Sequence, residues 1–194
     1  MEKLIGKNKV STAIFISGTG SNFKNLIKFS LLKRSPIKIK CVISNTKNAK
    51  GLKYANKYGI KKKIYDFKKN KNFENKIINF LKNNDINLIC LAGFMKILPP
   101  IFIRKFNGII LNIHPSLLPK YKGLNTHQRV IENNEKFTGC TVHFVNSKLD
   151  SGKIILQKRI KVFKKDNPLS LSKRVLKKEH QLYPKAILKV FSNF

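Results

Sequence analysis

An asparagine and a histidine close one apolar run of the chain: "GIILNIH" ends in Asn112 and His114, and Pro115 follows. Side chains two residues apart on a strand point to the same side. The amide can donate to a developing oxyanion, and the imidazole can take or give a proton. Pro115 has no N–H and ends the ladder, so two polar side chains stand at the strand's exposed end. A third group comes from "LDSG" at 149–152, where Asp150 lies in a turn-like loop between two apolar runs. If that loop folds back over His114, its carboxylate orients the imidazole or helps to move a proton. Two plainer readings stand beside this one: a histidine that only completes a structural hydrogen bond, and an aspartate that only forms a turn.

A second constellation sits near the N-terminus. "IFISGTGSNFKNL" puts Gly18, Thr19 and Gly20 straight after an apolar strand, with Ser21 and Asn22 opening a helical pattern. Glycines permit a tight turn and close backbone approach, and a helix start presents N–H groups and a positive dipole end. Ser21 or Asn22 is expected as the N-cap. This is chemistry for holding a phosphate; the plainer reading is a glycine turn with an ordinary cap. Lys24 and Asn25 fall where a dinucleotide fingerprint would place its third glycine, and the second strand ends in Ser44 and Asn45 rather than an acid. A dinucleotide is therefore disfavoured, and no Walker loop is present. Of the other histidines, His127 either contacts a ligand or caps the next helix. His143 alternates within a strand and His180 lies on the last helix, and the four show no metal spacing.

These side chains need a frame. Strands are predicted over 12–17, 37–44, 62–66, 86–93 and 108–114, and helices over 22–33, 51–59, 73–84 and 99–106. Such alternation predicts an α/β fold: three layers, a mostly parallel twisted sheet with helices on both faces. In such sheets ligands sit beyond the carboxyl ends of the strands, so Asn112 and His114 should face a cleft. Runs at 139–145 and 153–162 read as two more strands, a candidate hairpin, and 168–191 as a long terminal helix. Tyr183-Pro184 is a candidate break or kink in that helix. No repeat or linker interrupts residues 1–194, which read as a single domain.

The totals set bounds. The chain has 194 residues with 42% hydrophobic content, enough for one domain with a sizeable core. No apolar run approaches the roughly 20 residues of a membrane span. "MEKLIGKNKVST" carries an early acid and no long apolar stretch, so no signal peptide is expected and the setting is read as cytoplasmic. Cys41, Cys90 and Cys140 are read as small buried hydrophobes in a reducing compartment. The formal charge of +32 invites a nucleic-acid reading. The lysines, however, are spread over almost every polar segment, which favours a drifted, solvated surface with weak, salt-sensitive affinity for anions.

Four segments, in this order, closely resemble the phosphoribosylglycinamide formyltransferase family: "ISGTGSNFKNLI", "ICLAGFMKILP", "LNIHPSLLPKYKGLNTH" and "TVHFVNSKLDSGKIILQ". The likeness runs from about residue 10 to about 190. It implies a reaction, in which a formyl group passes from 10-formyltetrahydrofolate to the amine of glycinamide ribonucleotide, with no metal. It implies a phosphate site at Gly18, Thr19, Gly20, Ser21 and Asn22, and a catalytic trio of Asn112, His114 and Asp150. Met95, Lys96, Ile97 and Leu98 would lie beside the folate pteridine together with Asn112, and Glu179 would contact the ribonucleotide. The N-terminal half would then bind phosphate, and the C-terminal half would bind folate and catalyse. The partners implied are the two small molecules, with no specific nucleic acid and no membrane, on a monomer or homodimer.

The chain departs from the family pattern at several points. Thr19 stands for a common Asn, Lys96 for Arg, Asn125 for His and Ser151 for Gly, and "FKKNKN" (67–72) does not align clearly with the family's Arg-bearing loop near folate. Three other readings remain. A methionyl-tRNA formyltransferase shares the Asn-x-His strand, but the glycine–serine loop suits a free ribonucleotide and the resemblance would require a tRNA-binding domain. A formyltetrahydrofolate deformylase resembles the same core. A non-catalytic, basic nucleic-acid-binding protein would account for the charge.

Overall fold

The computed structural model describes residues 9–66 and 73–191, so the 67–72 segment lies outside the described residues. The chain divides into two compact units, Met1–Ile110 and Leu111–Phe194. The first carries β1 (Val10–Ile16), β2 (Ile37–Ser44), β3 (Lys61–Ile64) and β4 (Leu88–Leu91), with helices α1 (Ser21–Ser30), α2 (Leu52–Lys57), α3 (Phe73–Lys82) and α4 (Pro100–Lys105). β1 pairs in parallel with both β2 and β4, and β2 with β3. Parallel strands are covered on both faces and read as continuous apolar runs. Accordingly, Ala13, Ile14, Phe15 and Ile16 of β1 and all four residues of β4 are buried. Phe15 meets Phe94 edge-on at 5.3 Å near the carboxyl end of β1.

The second unit carries β5 (Ile109–His114, begun in the first unit), β6 (Phe137–Phe144) and β7 (Ile154–Lys161), with α5 (Thr126–Glu132) and α6 (Pro168–Phe191). Both pairings here are antiparallel, and β6–β7 is the anticipated hairpin. The complete order of the seven-stranded sheet is β3-β2-β1-β4-β5-β6-β7. The fold class is therefore the one expected, a mostly parallel α/β sheet.

Of the two expectations at Pro184 the break does not occur, since the residue lies inside a helix continuous over 24 residues. Proline removes one backbone hydrogen bond. The helix runs on because its buried stripe, Leu171, Val175, Glu179, Leu182, Tyr183, Ala186 and Ile187, continues across that point. Tyr183 is fully buried and its hydroxyl donates to the Leu111 carbonyl at 3.0 Å.

Candidate active site

β5 delivers the first two groups. Asn112 and His114 pair across the ladder with His143 and Thr141 of β6. Asp150 arrives from the β6–β7 connection, where it adopts a left-handed backbone with φ of 44°. Gly152 makes that connection possible, since a Cβ there would lie 1.7 Å from the Phe144 carbonyl oxygen. The hairpin register also slips between Val142 and His143, a bulge that re-aims the side chains beside it.

The result is one carboxylate between two imidazoles. Asp150 Oδ2 lies 3.3 Å from His114 Nδ1, and Asp150 Oδ1 lies 3.6 Å from His143 Nε2. The side chains of His114, Asp150 and His143 are 7%, 8% and 2% exposed, so little water screens them. The Gly123 N–H donates to Asp150 Oδ2 at 2.8 Å. Asn112 Nδ2 donates to His143 Nε2 at 3.2 Å and to Asp150 Oδ1 at 3.4 Å. The trio of Asn112, His114 and Asp150 that the sequence suggested thus meets at one place.

Carbonyl partners assign the tautomers, because a carbonyl can only accept. His114 Nε2 lies 2.8 Å from the Tyr121 carbonyl and therefore carries hydrogen. His143 Nδ1 lies 2.7 Å from the Phe144 carbonyl and carries hydrogen too. In the neutral rings the other nitrogens, both turned toward Asp150, are bare. A proton arriving at either one gains the carboxylate as partner. Burial works against charging His114 and lowers its pKa, although the Tyr121 carbonyl and Asp150 pull upward. Burial alone would raise the Asp150 pKa, but the neighbouring His143, the Gly123 N–H and the His114 imidazole outweigh it and lower it. The site therefore sets a carboxylate against His114, whose burial disfavours its charged form.

The glycine loop lies in the first unit. The expected cap is corrected: the N-cap of α1 is Gly20, at φ 72°, with no side-chain cap bond, not Ser21 or Asn22. A cap side chain does not fit here, because a Cβ on Gly20 would come within 2.6 Å of Gly51 Cα. Gly51 N–H donates to the Gly18 carbonyl at 2.9 Å and fixes the loop. Gly18 and Thr19 are exposed, and Ser21 and Asn22 open the helix. Residues 92–99 form an irregular segment in the same unit, tied to the end of β1 by the Met95 N–H donating to Ser17 Oγ at 2.7 Å. Met95 and Ile97 are 63% and 70% exposed, Lys96 is half-buried, and Leu98 is buried. Glu179 is buried on α6, near enough to Cys140 for its charge to help raise that thiol's pKa to about 12, after burial itself.

Three partners escaped the sequence reading: His143, Gly123 and the Tyr121 carbonyl. His143 was legible only as strand alternation, and the other two act through main-chain atoms, which carry no side-chain signal. Of the two roles open to His127, capping is ruled out, since Asn125 occupies the N-cap of α5. Its buried Nδ1 has no hydrogen-bond partner among the described residues. No group of three or more His, Cys, Asp or Glu among the described residues is placed to hold a metal.

Comparison with known proteins points one way. A family model described as formyl transferase matches residues 10–187. The phosphoribosylglycinamide formyltransferase of Haemophilus influenzae is 43% identical over 90% of this chain and 84% of its own length. The human trifunctional purine biosynthetic protein adenosine-3 is 43% identical over 96% of this chain, which spans only 19% of that protein's length. The crystal structure of phosphoribosylglycinamide formyltransferase from Brucella melitensis superposes with a TM-score of 0.89, at 40% identity, over 96% of this chain and 97% of that one. The chain belongs to the formyl transferase family, among the phosphoribosylglycinamide formyltransferases.

Proposed function

We propose that the chain transfers a formyl group from 10-formyltetrahydrofolate to the amine of glycinamide ribonucleotide, in purine biosynthesis. The observation that carries this reading is the Asp150 carboxylate set between His114 and His143 with the Asn112 amide beside it. Acyl transfer to an amine needs a place for a proton and a donor for an oxyanion, and those groups supply both. When the amine attacks the formyl carbon, the carbonyl oxygen gains negative charge and the nitrogen becomes acidic. His114, charged by that proton at Nδ1, stabilises the oxyanion through its field while Asp150 steadies the imidazolium. Its Nε2–H stays with the Tyr121 carbonyl. The 3.4 Å bond from Asn112 to Asp150 is the longer of its two, so this N–H turns most readily to the oxyanion. The proton then leaves through Asp150 to the departing folate nitrogen, which completes the balance without a metal.

Binding roles follow the same reading. Gly18, Thr19, Gly20, Ser21 and Asn22 hold the ribonucleotide phosphate by backbone N–H groups at the α1 start, and Glu179 contacts the same substrate. The exposed apolar pair Met95 and Ile97, with Lys96 and Leu98, offers a flank for the flat folate ring. The chain works with these two small molecules, as a monomer or homodimer, in the cytoplasm; its first half binds phosphate and its second half catalyses. The test is turnover of 10-formyltetrahydrofolate by purified protein, followed by absorbance. Formyl loss only when glycinamide ribonucleotide is present is the expected result. Equal loss without the amine would make it a deformylase, and no turnover with either would sink the reading.

A further inference from the structure

Tyr121 holds an unusual backbone. It is bulky, yet its φ is 56°, in the left-handed region that costs such residues about 1 kcal/mol or more. Conformations of this kind persist only where the surroundings over-determine them. Three contacts do so here. The Tyr121 hydroxyl donates to Glu135 Oε1 at 2.9 Å. The Arg129 guanidinium lies over the Tyr121 ring, 5.3 Å from its centre, and Arg129 Nη1 donates to the Lys122 carbonyl at 2.7 Å. Lys120 donates to the same Glu135 oxygen at 2.7 Å, from a side chain 66% exposed, but that side chain bonds to no atom of Tyr121 and is not one of the three. The strained backbone turns the Tyr121 carbonyl to His114 Nε2 at 2.8 Å. Ring and carbonyl belong to one residue, so what holds the ring aims the carbonyl.

We propose that Glu135 is a positioning residue for His114, acting through Tyr121: its carboxylate anchors the phenol and so keeps the Tyr121 carbonyl on the imidazole. The bonds of Glu135 run to Lys120 and Tyr121, not to Asn112, His114 or Asp150. The proposal rests on the formyl-transfer reading only for its kinetic readout.

His114 is faced by Asp150 from the β6–β7 connection, His143 from β6, and Arg129 and His127 from α5. None of these groups is bonded to Glu135, whose bonds run to Lys120 and Tyr121. The loss of an aimed carbonyl should therefore show as a distinct titration of the His114 ring.

The variants are Glu135→Ala and Tyr121→Phe, with Lys120→Ala as the control that keeps the phenol–carboxylate bond, and Glu135→Gln as the conservative rescue. In the full chain, nuclear magnetic resonance of the histidine rings should show His114 titrating at lower pH in the first two variants and unchanged in the control. With both substrates, kcat should fall roughly fivefold to tenfold while KM stays within about twofold. The double variant should fall no further than either single one, since both cut the same link. Glu135→Gln should recover most of the loss. An unchanged His114 titration in Glu135→Ala, or additive losses in the double variant, would overturn the assignment. If the wild-type chain transferred no formyl group at all, the ring titration would still decide the question.

Discussion

The Asp150 carboxylate has more neighbours than any other group at the site, and its worth can be isolated. Asp150→Asn keeps the shape and removes the charge that steadies an imidazolium. Turnover should fall by roughly a hundredfold or more, in the range general acid–base groups supply. Ribonucleotide affinity, measured by titration of the folate-free protein, should stay within a few-fold. A variant with near-normal turnover would take the carboxylate out of the proton path. Asn112 and His114 were legible because i and i+2 on a strand share a face. Asp150 was half legible, as a scarce acid in a turn. His143 was not, because its partnership with Asn112 depends on how β6 registers against β5, a long-range pairing that no local pattern encodes.

At the scale of elements, local chemistry and tertiary packing contributed unequally. β2 was predicted over 37–44 and runs Ile37–Ser44, because alternating and apolar residues there agree with its buried and exposed faces. The cap of α1 was misjudged, since the close approach of Gly20 to Gly51 leaves no room for the usual serine or asparagine cap. Pro184 does not break α6, because burial along the helix outweighs one missing bond. Gly152 is the position where this balance is sharpest. Gly152→Ala forces a methyl against the Phe144 carbonyl, so the hairpin must shift. The variant should be destabilised by about 3 kcal/mol, read as a lower midpoint in urea. Activity should fall further than that loss explains, because the same shift moves Asp150. An unchanged midpoint would mean that the connection is looser than its geometry.

At the scale of the molecule, the charge dominates. Against 41 Lys and Arg stand 9 Asp and Glu, so each paired acid matters. Asp150, Asp166 and Glu135 all have pKa values held below the ordinary carboxylate range. For Asp166, burial opposes the shift and bonds from Phe163, Ser170 and Arg174 produce it; for Glu135 the bonds from Lys120 and Tyr121 lead. A depressed carboxylate contributes stability that is present above its unfolded pKa and lost as pH falls through its folded one. His114, lowered by burial, adds a loss of the same sign that begins below the ordinary imidazole value. The melting temperature should therefore drop from about pH 6.5 downward and steeply below about pH 4. Added salt should soften the fall by screening the lysines. A melting temperature flat down to about pH 4 would contradict the reading of His114, and one that stayed flat below about pH 4 would contradict the carboxylate pairings. The sequence made the excess of charge plain, but not which few acids are paired, since that depends on folds of loop over strand. The three cysteines read as buried are buried.

The irregular step in the hairpin sets a tolerance on chain length. Two steps of β7, from Ile154 to Leu156, answer one step of β6, from Val142 to His143. Delete one residue there and the ribbon has two remedies: draw the 145–153 connection tighter, or present β7 back to front. Neither returns the acid to its old address between the rings. A change of a single codon could leave an intact, well-folded protein with nothing to pass a proton along.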